Sequence, residues 1–164
     1  NFRPAAEVYM EIVMAHSGWS IGYENFSEAA KFYPFGISDL GENRVVREPF
    51  GLDKDGSLIC AGNLVEGSML DVLYGNEQSL LDAASEASQI QSCLKDSSQS
   101  RLTMLVDCIS RTWLLGPRFS EELAMVGKIH QLIGVCTFGE IAGNRREHLV
   151  FNNKTCVVGA MDIK

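Results

Sequence analysis

Ile133-Gly134-Val135-Cys136-Thr137-Phe138-Gly139-Glu140-Ile141-Ala142 opens as a short apolar strand and runs into a Gly-Glu pair that an ordinary strand does not need. Ile133, Val135, Thr137 and Phe138 are branched or aromatic and suit a pleated, packed surface. Gly139 then relaxes the backbone and sets Glu140 where the strand gives out. In open sheets, ligand crevices form at the carboxyl ends of strands.

Upstream, the run Leu102-Thr103-Met104-Leu105-Val106, apolar but for its threonine, reads as a central strand. Between the two strands, Ser120 is placed to cap a helix whose first turn carries Glu121 and Glu122, with Leu123, Val126 and Ile129 packing it down. Earlier still, residues 69–74 read as a strand. Asn76 caps a helix extending to about residue 95, with Leu80, Ala84, Ala87, Ile90 and Leu94 on its inner face. A polar loop over residues 96–100 follows.

Near the amino end, Pro4 suits the first turn of a helix over residues 4–15, with Ala5, Val8, Tyr9, Ile12 and Val13 at helical spacing and Gly18 beyond it. His16 continues that face and reads as a packed or half-exposed ring. A short helix over residues 26–32, capped by Ser27, ends before Tyr33-Pro34. Residues 44–47 and 57–60 flank Asp53-Lys54-Asp55-Gly56 and form a β-hairpin. Its acidic turn is no calcium loop, because Gly56 falls at the fourth position rather than the sixth. After the opening stretch come a turn over residues 143–146 and strands over 149–151 and 155–160. The expectation is an α+β fold with an α/β-like centre: a mixed β-sheet, antiparallel hairpins at both ends and helices packed against it.

At 164 residues and 46% hydrophobic content, residues 1–164 read as a single domain with a real core. The net charge of −7 argues against nucleic acid and against an anionic membrane surface. No apolar run approaches the roughly 20 residues of a membrane helix, and no signal peptide is visible. The five cysteines, at 60, 93, 108, 136 and 156, form no CxxC, so they read as reduced thiols of a cytoplasmic protein without a structural metal. In that setting the glycosylation-like Asn153-Lys154-Thr155 is accidental.

There is no GxSxG, no phosphate-binding loop, no dinucleotide fingerprint and no HExxH. Four constellations remain. Cys108 and Arg111 stand at the end of the central strand, where the guanidinium either meets a ligand carboxylate or phosphate, or pairs with Asp107 or a loop carbonyl. Thr137 and Glu140 bring a hydroxyl and a carboxylate to a second strand end, where the glutamate either binds or only ties down a turn. Asn152, Asn153 and Thr155 line the turn into the final strand, as ligands or as ordinary turn formers. Cys108 or Cys136 with His130 or His148 makes a nucleophile–base pairing, but no spacing brings them together.

Taken in order, several stretches resemble the C-terminal half of the FIST sensory domain, nearly end to end. They are Pro4-Ala5-Ala6-Glu7-Val8-Tyr9, Pro34-Phe35-Gly36-Ile37, Val46-Arg47-Glu48-Pro49 and Asp55-Gly56-Ser57-Leu58. Glu66-Gly67, Cys108 with Ser110-Arg111, Leu114-Leu115-Gly116, Gly139-Glu140-Ile141, and Phe151 with Asn153 and Thr155 continue the series. The resemblance implies a cytoplasmic, non-catalytic signal-input module binding small ligands such as amino acids, and a fragment lacking its N-terminal FIST half. Its implied output partners are histidine kinases, diguanylate cyclases or chemoreceptors, with F-box segments in eukaryotes. Some relatives bind haem, but here His16, His130 and His148 lie outside the aligned motifs, so no cofactor is expected.

The chain departs from the family pattern at three places. Ser-Cys-x-Gly-Arg becomes Asp107-Cys108-Ile109-Ser110-Arg111. Gly-Phe-Tyr-Thr-Tyr-Gly-Glu becomes Gly134-Val135-Cys136-Thr137-Phe138-Gly139-Glu140. Phe-His-Asn-x-Thr becomes Phe151-Asn152-Asn153-Lys154-Thr155, without the histidine.

The leading expectation is therefore a small polar ligand held by Cys108, Arg111, Thr137, Glu140, Asn153 and Thr155. Arg111 would take its carboxylate and Glu140 its amine. The alternatives are a structural or partner-docking domain completed by the N-terminal half, a haem-type sensor, and a cysteine-dependent enzyme.

Overall fold

A computed structural model describes residues 3–38, 44–89, 100–127, 131–143 and 149–163. The chain divides into two compact units, one of Asn1–Gly75 with Val150–Asn153, the other of Asn76–Leu149 with Lys154–Lys164. The class is α+β, as the strand and helix patterns predict. The strands, however, are not gathered into one sheet, because local periodicity says where a strand lies and not which strand it pairs with.

In the first unit, helix α1 (Ala5–Ser17) ends at Gly18, whose φ of 73° only glycine adopts without strain and whose N–H closes on the Met14 carbonyl. Ala6, Tyr9 and Val13 form its buried stripe, while Ile12 is 46% exposed, so the helix is rotated from the predicted face. Helix α2 (Phe26–Ala30) is entered from Asn25, one turn position before the Ser27 cap that was expected. Asn25 instead braces the preceding loop, accepting from Gly22 N and donating to Ser20 O.

Strands β1 (Phe35–Ser38), β2 (Arg44–Leu52), β3 (Leu58–Ala61) and β4 (Leu70–Val72) form a sheet in the order β3-β2-β1-β4. Every pairing in it is antiparallel. The predicted hairpin is β2–β3, closed where Gly56, at φ 84°, donates to the Asp53 carbonyl. Its register shifts between Pro49 and Gly51, as expected where proline cannot donate to the ladder. Tyr9, Val13, Ile21, Phe26, Ala29, Ala30, Tyr33 and Phe35 make the core of this unit. Strand β8 (Val150–Asn152) returns to it late in the chain, and Arg47 donates to the Phe151 carbonyl at 2.7 Å.

In the second unit, helix α3 (Glu77–Ser88) starts with a capping box in which Asn76 Oδ1 accepts from Ser79 N and Asn76 N donates to Ser79 Oγ. The helix ends at Ser88, and the predicted extension through Ile90 and Leu94 lies outside the described residues. Strand β5 (Ser100–Cys108) is central, in the order β6-β5-β9. It runs parallel to β6 (Gln131–Thr137) and antiparallel to β9 (Cys156–Ile163). The parallel pair requires a crossover. It is made by α4 (Ile109–Leu115), a 3-10 turn at Gly116–Arg118 and α5 (Phe119–Val126). Strand β7 (Glu140–Ala142) follows β6. The predicted turn over residues 143–146 lies outside the described residues from 144 onward.

Alternation along β5 puts Thr103, Leu105 and Asp107 on the face covered by helices. There Leu105 packs with Ala84, Leu123, Val126, Leu132, Cys156 and Val158. Gly134 matters at this interface because a Cβ would sit 2.7 Å from the Leu105 carbonyl oxygen, closer than backbones tolerate. On the other face Met104, Ile133, Val135 and Met161 are 45–57% exposed. Among the described residues, no helix is long and apolar enough to cross a membrane.

Candidate functional site

The second unit gathers its polar side chains at the carboxyl ends of β5 and β6. Arg111, one turn into α4, lies four residues after Asp107, so a helical turn brings the two together. Its Nε stands 3.0 Å from Asp107 Oδ1, and its Nη2 is ion-paired with Glu122 of α5. Nη2 also donates to the Leu80 carbonyl at 3.0 Å, and Nη1 to the Lys154 carbonyl at 3.4 Å. Arg111, Asp107 and Glu122 are 2%, 1% and 0% exposed. A guanidinium in so dry a place requires carboxylate partners, and a planar fork serves several acceptors at once.

Two carboxyls face one guanidinium, and they do not both ionise readily. Burial pushes the Asp107 carboxyl up to about 8, and the hydrogen bond and charge of Glu122 add to this against the pull of Arg111. At neutral pH Asp107 therefore holds a proton, leaving one negative charge opposite one positive charge.

Asp107, Glu122 and Cys156 also bring one ligand atom each within 4.8 Å of one another, the spacing of a cation site. The chemistry of this donor set fits the guanidinium better than a metal ion. Arg111 already neutralises the carboxylates, and burial pushes the Cys156 thiol up to about 12, far from a thiolate ligand.

Glu140, at the start of β7, is 1% exposed. Its Oε1 accepts from Thr137 Oγ1 at 2.7 Å. Its Oε2 accepts from Thr155 Oγ1 at 2.7 Å and from Thr155 N at 3.4 Å. The Thr155 carbonyl takes the Cys108 N–H at 3.1 Å, so the turn before β9 is tied to the end of β5. Lys154 in that turn adopts φ 57°, a left-handed conformation uncommon outside glycine. Its Nζ donates to Ser110 Oγ at 3.4 Å, and Ser110 Oγ stands 3.3 Å from Cys108 Sγ.

Of the six residues singled out in the sequence, Cys108, Arg111, Thr137, Glu140 and Thr155 converge in this unit. Arg111 and Glu140 are turned inward onto partners of their own chain, whereas Thr137 and Thr155 are half-buried. Asn153 belongs to the first unit, where its Oδ1 accepts from the Glu48 N–H at 3.4 Å. Burial raises the Cys108 thiol above its ordinary value, which disfavours the thiolate a nucleophile needs. The histidines suggested as its base, His130 and His148, lie outside the described residues.

Sequence reasoning placed Glu122 in the first turn of a packed helix, where it stands, but gave it no role beyond the helix dipole. The signal it passed over is spacing, since Glu122 lies four residues before Val126, the fully buried anchor of α5. Ser120, the expected cap, donates to the Pro117 carbonyl, and the helix begins at Phe119.

Searches among curated proteins and among solved structures return no match. A family model, the FIST C domain, matches residues 5–143 and so spans sequence from both units, ending before Asn153 and Thr155. The chain belongs to the FIST C domain family, a sensory-type domain of signalling proteins.

Proposed function

We propose that this chain is a non-catalytic, small-ligand sensor of the cytoplasm whose ligand is amino-acid-like. In this reading it works as one FIST C module beside an N-terminal FIST half and reports to a histidine kinase, diguanylate cyclase or chemoreceptor. The observation that carries it is the convergence of Thr137, Glu140 and Thr155 with Cys108 and Arg111 at neighbouring strand ends. The half-buried threonine hydroxyls meet the ligand. Arg111 and Glu140 stand behind them, setting hydroxyl orientation and local charge, and Asn153 holds the turn that carries Thr155. Free thiols at Cys60, Cys108, Cys136 and Cys156 accord with a reducing compartment.

A thermal-shift panel of free amino acids tests the proposal. At a hundredfold excess over Kd, the bound amino acid is expected to raise Tm by about 5 °C or more. The shift disappears in the Thr137→Val, Thr155→Val double variant. A panel with no shift, or a shift unchanged in that variant, removes the assignment.

A second reading, partner docking, is favoured by a different observation. Met104, Ile133, Val135 and Met161 lie on adjacent strands in register and form a contiguous apolar face. If the N-terminal FIST half covers that face, mixing the two chains yields a stable complex by size-exclusion chromatography. Val135→Lys then abolishes the complex, and retained binding in that variant rules out this face.

A further inference from the structure

A second place, built from the first unit alone, has ligand chemistry of its own. A cavity of about 340 Å³ in the first unit is lined by His16, Ser17, Trp19, Phe32, Tyr33 and Tyr74. These residues come from the last turn of α1, the loop after it, the segment between α2 and β1, and the residues following β4. Five of the six carry aromatic or imidazole rings, and none is a carboxylate. Trp19 and Tyr74 are 50% and 55% exposed, so the rings are open to solvent.

The ring geometry narrows the occupant. Trp19 meets Phe32 at 88°, His16 meets Tyr33 at 76°, and Tyr74 is tilted by 41° to Tyr33 and 47° to His16. Inclined rings offer no parallel slot for a flat base or indole, but they suit a compact, rounded group lying against several π faces at once.

Charge gives the sign. Aromatic faces attract cations, and Phe32 already does so, with Lys31 Nζ 5.7 Å from its centroid. The negative end of the α1 dipole lies at the same place, since His16 and Ser17 are the last residues of that helix. The charge of Lys31 is balanced by its pair with Glu28, so the ring faces and the helix terminus leave two sources of negative potential at the cavity.

Hydrogen-bonding capacity gives the substituents. Ser17 Oγ donates to the Val13 carbonyl and accepts from Trp19 N, and the Tyr33 hydroxyl is engaged with His16 Nδ1 at 2.9 Å. A primary ammonium would bring N–H donors to a wall without carboxylates. A methylated ammonium brings none and leaves nothing unsatisfied.

We infer that this aromatic cavity binds the trimethylammonium group of a small molecule of the choline or betaine type. A volume near the lower end of the roughly 300–1,000 Å³ range of ligand pockets fits such a molecule rather than a folded partner. The inference uses none of Cys108, Arg111, Thr137, Glu140, Asn153 or Thr155, so it stands or falls separately from the amino-acid proposal.

Isothermal titration of the whole chain tests it, with choline as probe, 3,3-dimethylbutan-1-ol as its uncharged isostere, and a trimethyl-lysine peptide as the alternative source of the same group. Choline is expected to bind saturably and about tenfold more tightly than the isostere. Trp19→Ala weakens choline by about tenfold, while Trp19→Phe, which keeps a π face, restores most of the affinity. Both variants melt as the unmodified chain does, because Trp19 is a half-exposed loop residue. Equal affinity for choline and its isostere, no saturable heat with choline, or unchanged binding in a folded Trp19→Ala variant overturns the inference. Tighter binding of the peptide than of choline overturns the small-molecule source.

Discussion

Replacing Arg111 by alanine is expected to unfold the second unit under conditions in which the unmodified chain is stable. The guanidinium is the positive charge paired with both Asp107 and Glu122, and all three groups are buried. Removing one partner of such a cluster costs about 3–5 kcal/mol, because the charge left behind has neither water nor a counter-ion. That is a large part of the ~5–15 kcal/mol that holds an ordinary domain. The Leu80 and Lys154 carbonyls lose a donor as well. Arg111→Lys is expected to recover little, since a point charge cannot serve the same spread of acceptors. The triple variant Arg111→Met, Asp107→Leu, Glu122→Leu removes every charge together and is expected to regain most of the loss. Urea denaturation measures all three, and a midpoint for Arg111→Ala equal to that of the unmodified chain contradicts the cluster's role.

The same cluster makes stability fall as pH rises from about 4 to about 8. Asp107 titrates near 8 when folded, well above its ordinary 3.8, so the folded state binds a proton that the unfolded chain releases. The stabilisation tied to that proton is complete below about pH 4 and is lost as pH rises through about 8. The physical cause is first the burial of the Asp107 carboxyl, which disfavours its charged form, and then the hydrogen bond and negative charge of Glu122 beside it. Asp107→Asn keeps the shape and a donor toward Glu122 but cannot ionise. It is expected to flatten the decline between pH 6 and 9, measured as the urea midpoint at each pH. An equally steep decline in that variant assigns the effect to other groups.

How far such features could be read from the sequence depends on how local their causes are. Gly18 and the Asn76 capping box act within one turn of chain, and both helix boundaries were legible from residue type alone. The apolar run over residues 102–106 announced a central strand, and β5 is flanked on both sides. Helix α4 was not legible: Cys108 precedes it without a side-chain cap bond, and Ser110 and Thr112 are poor helix formers. The division into separate sheets was equally hidden, because β4 pairs with β1 by a tertiary choice that no local pattern records. The site divides the same way. Thr137 and Glu140 are three residues apart and could be linked by eye, whereas Thr155 reaches Glu140 from fifteen residues away. The burial of Glu122 was not legible, because only the arriving Arg111 makes it tolerable there.

The return of residues 150–153 to the first unit has a consequence for biosynthesis. The flank of β2 near Val46 and Arg47 is closed by late residues: Asn153 N donates to the Val46 carbonyl, and Arg47 is held by the Phe151 carbonyl. A ribosome delivers Asn1–Gly75 first and reaches Val150 only after the 74 residues between them (76–149). At ~5–20 residues per second, that interval lasts about 4–15 s. Throughout it the nascent unit can assemble the Tyr9–Phe26–Phe35 core, yet its second strand keeps unpaired backbone groups toward solvent or a waiting chaperone. Translation arrested before Val150 therefore yields a chain that has its core but not its closed edge.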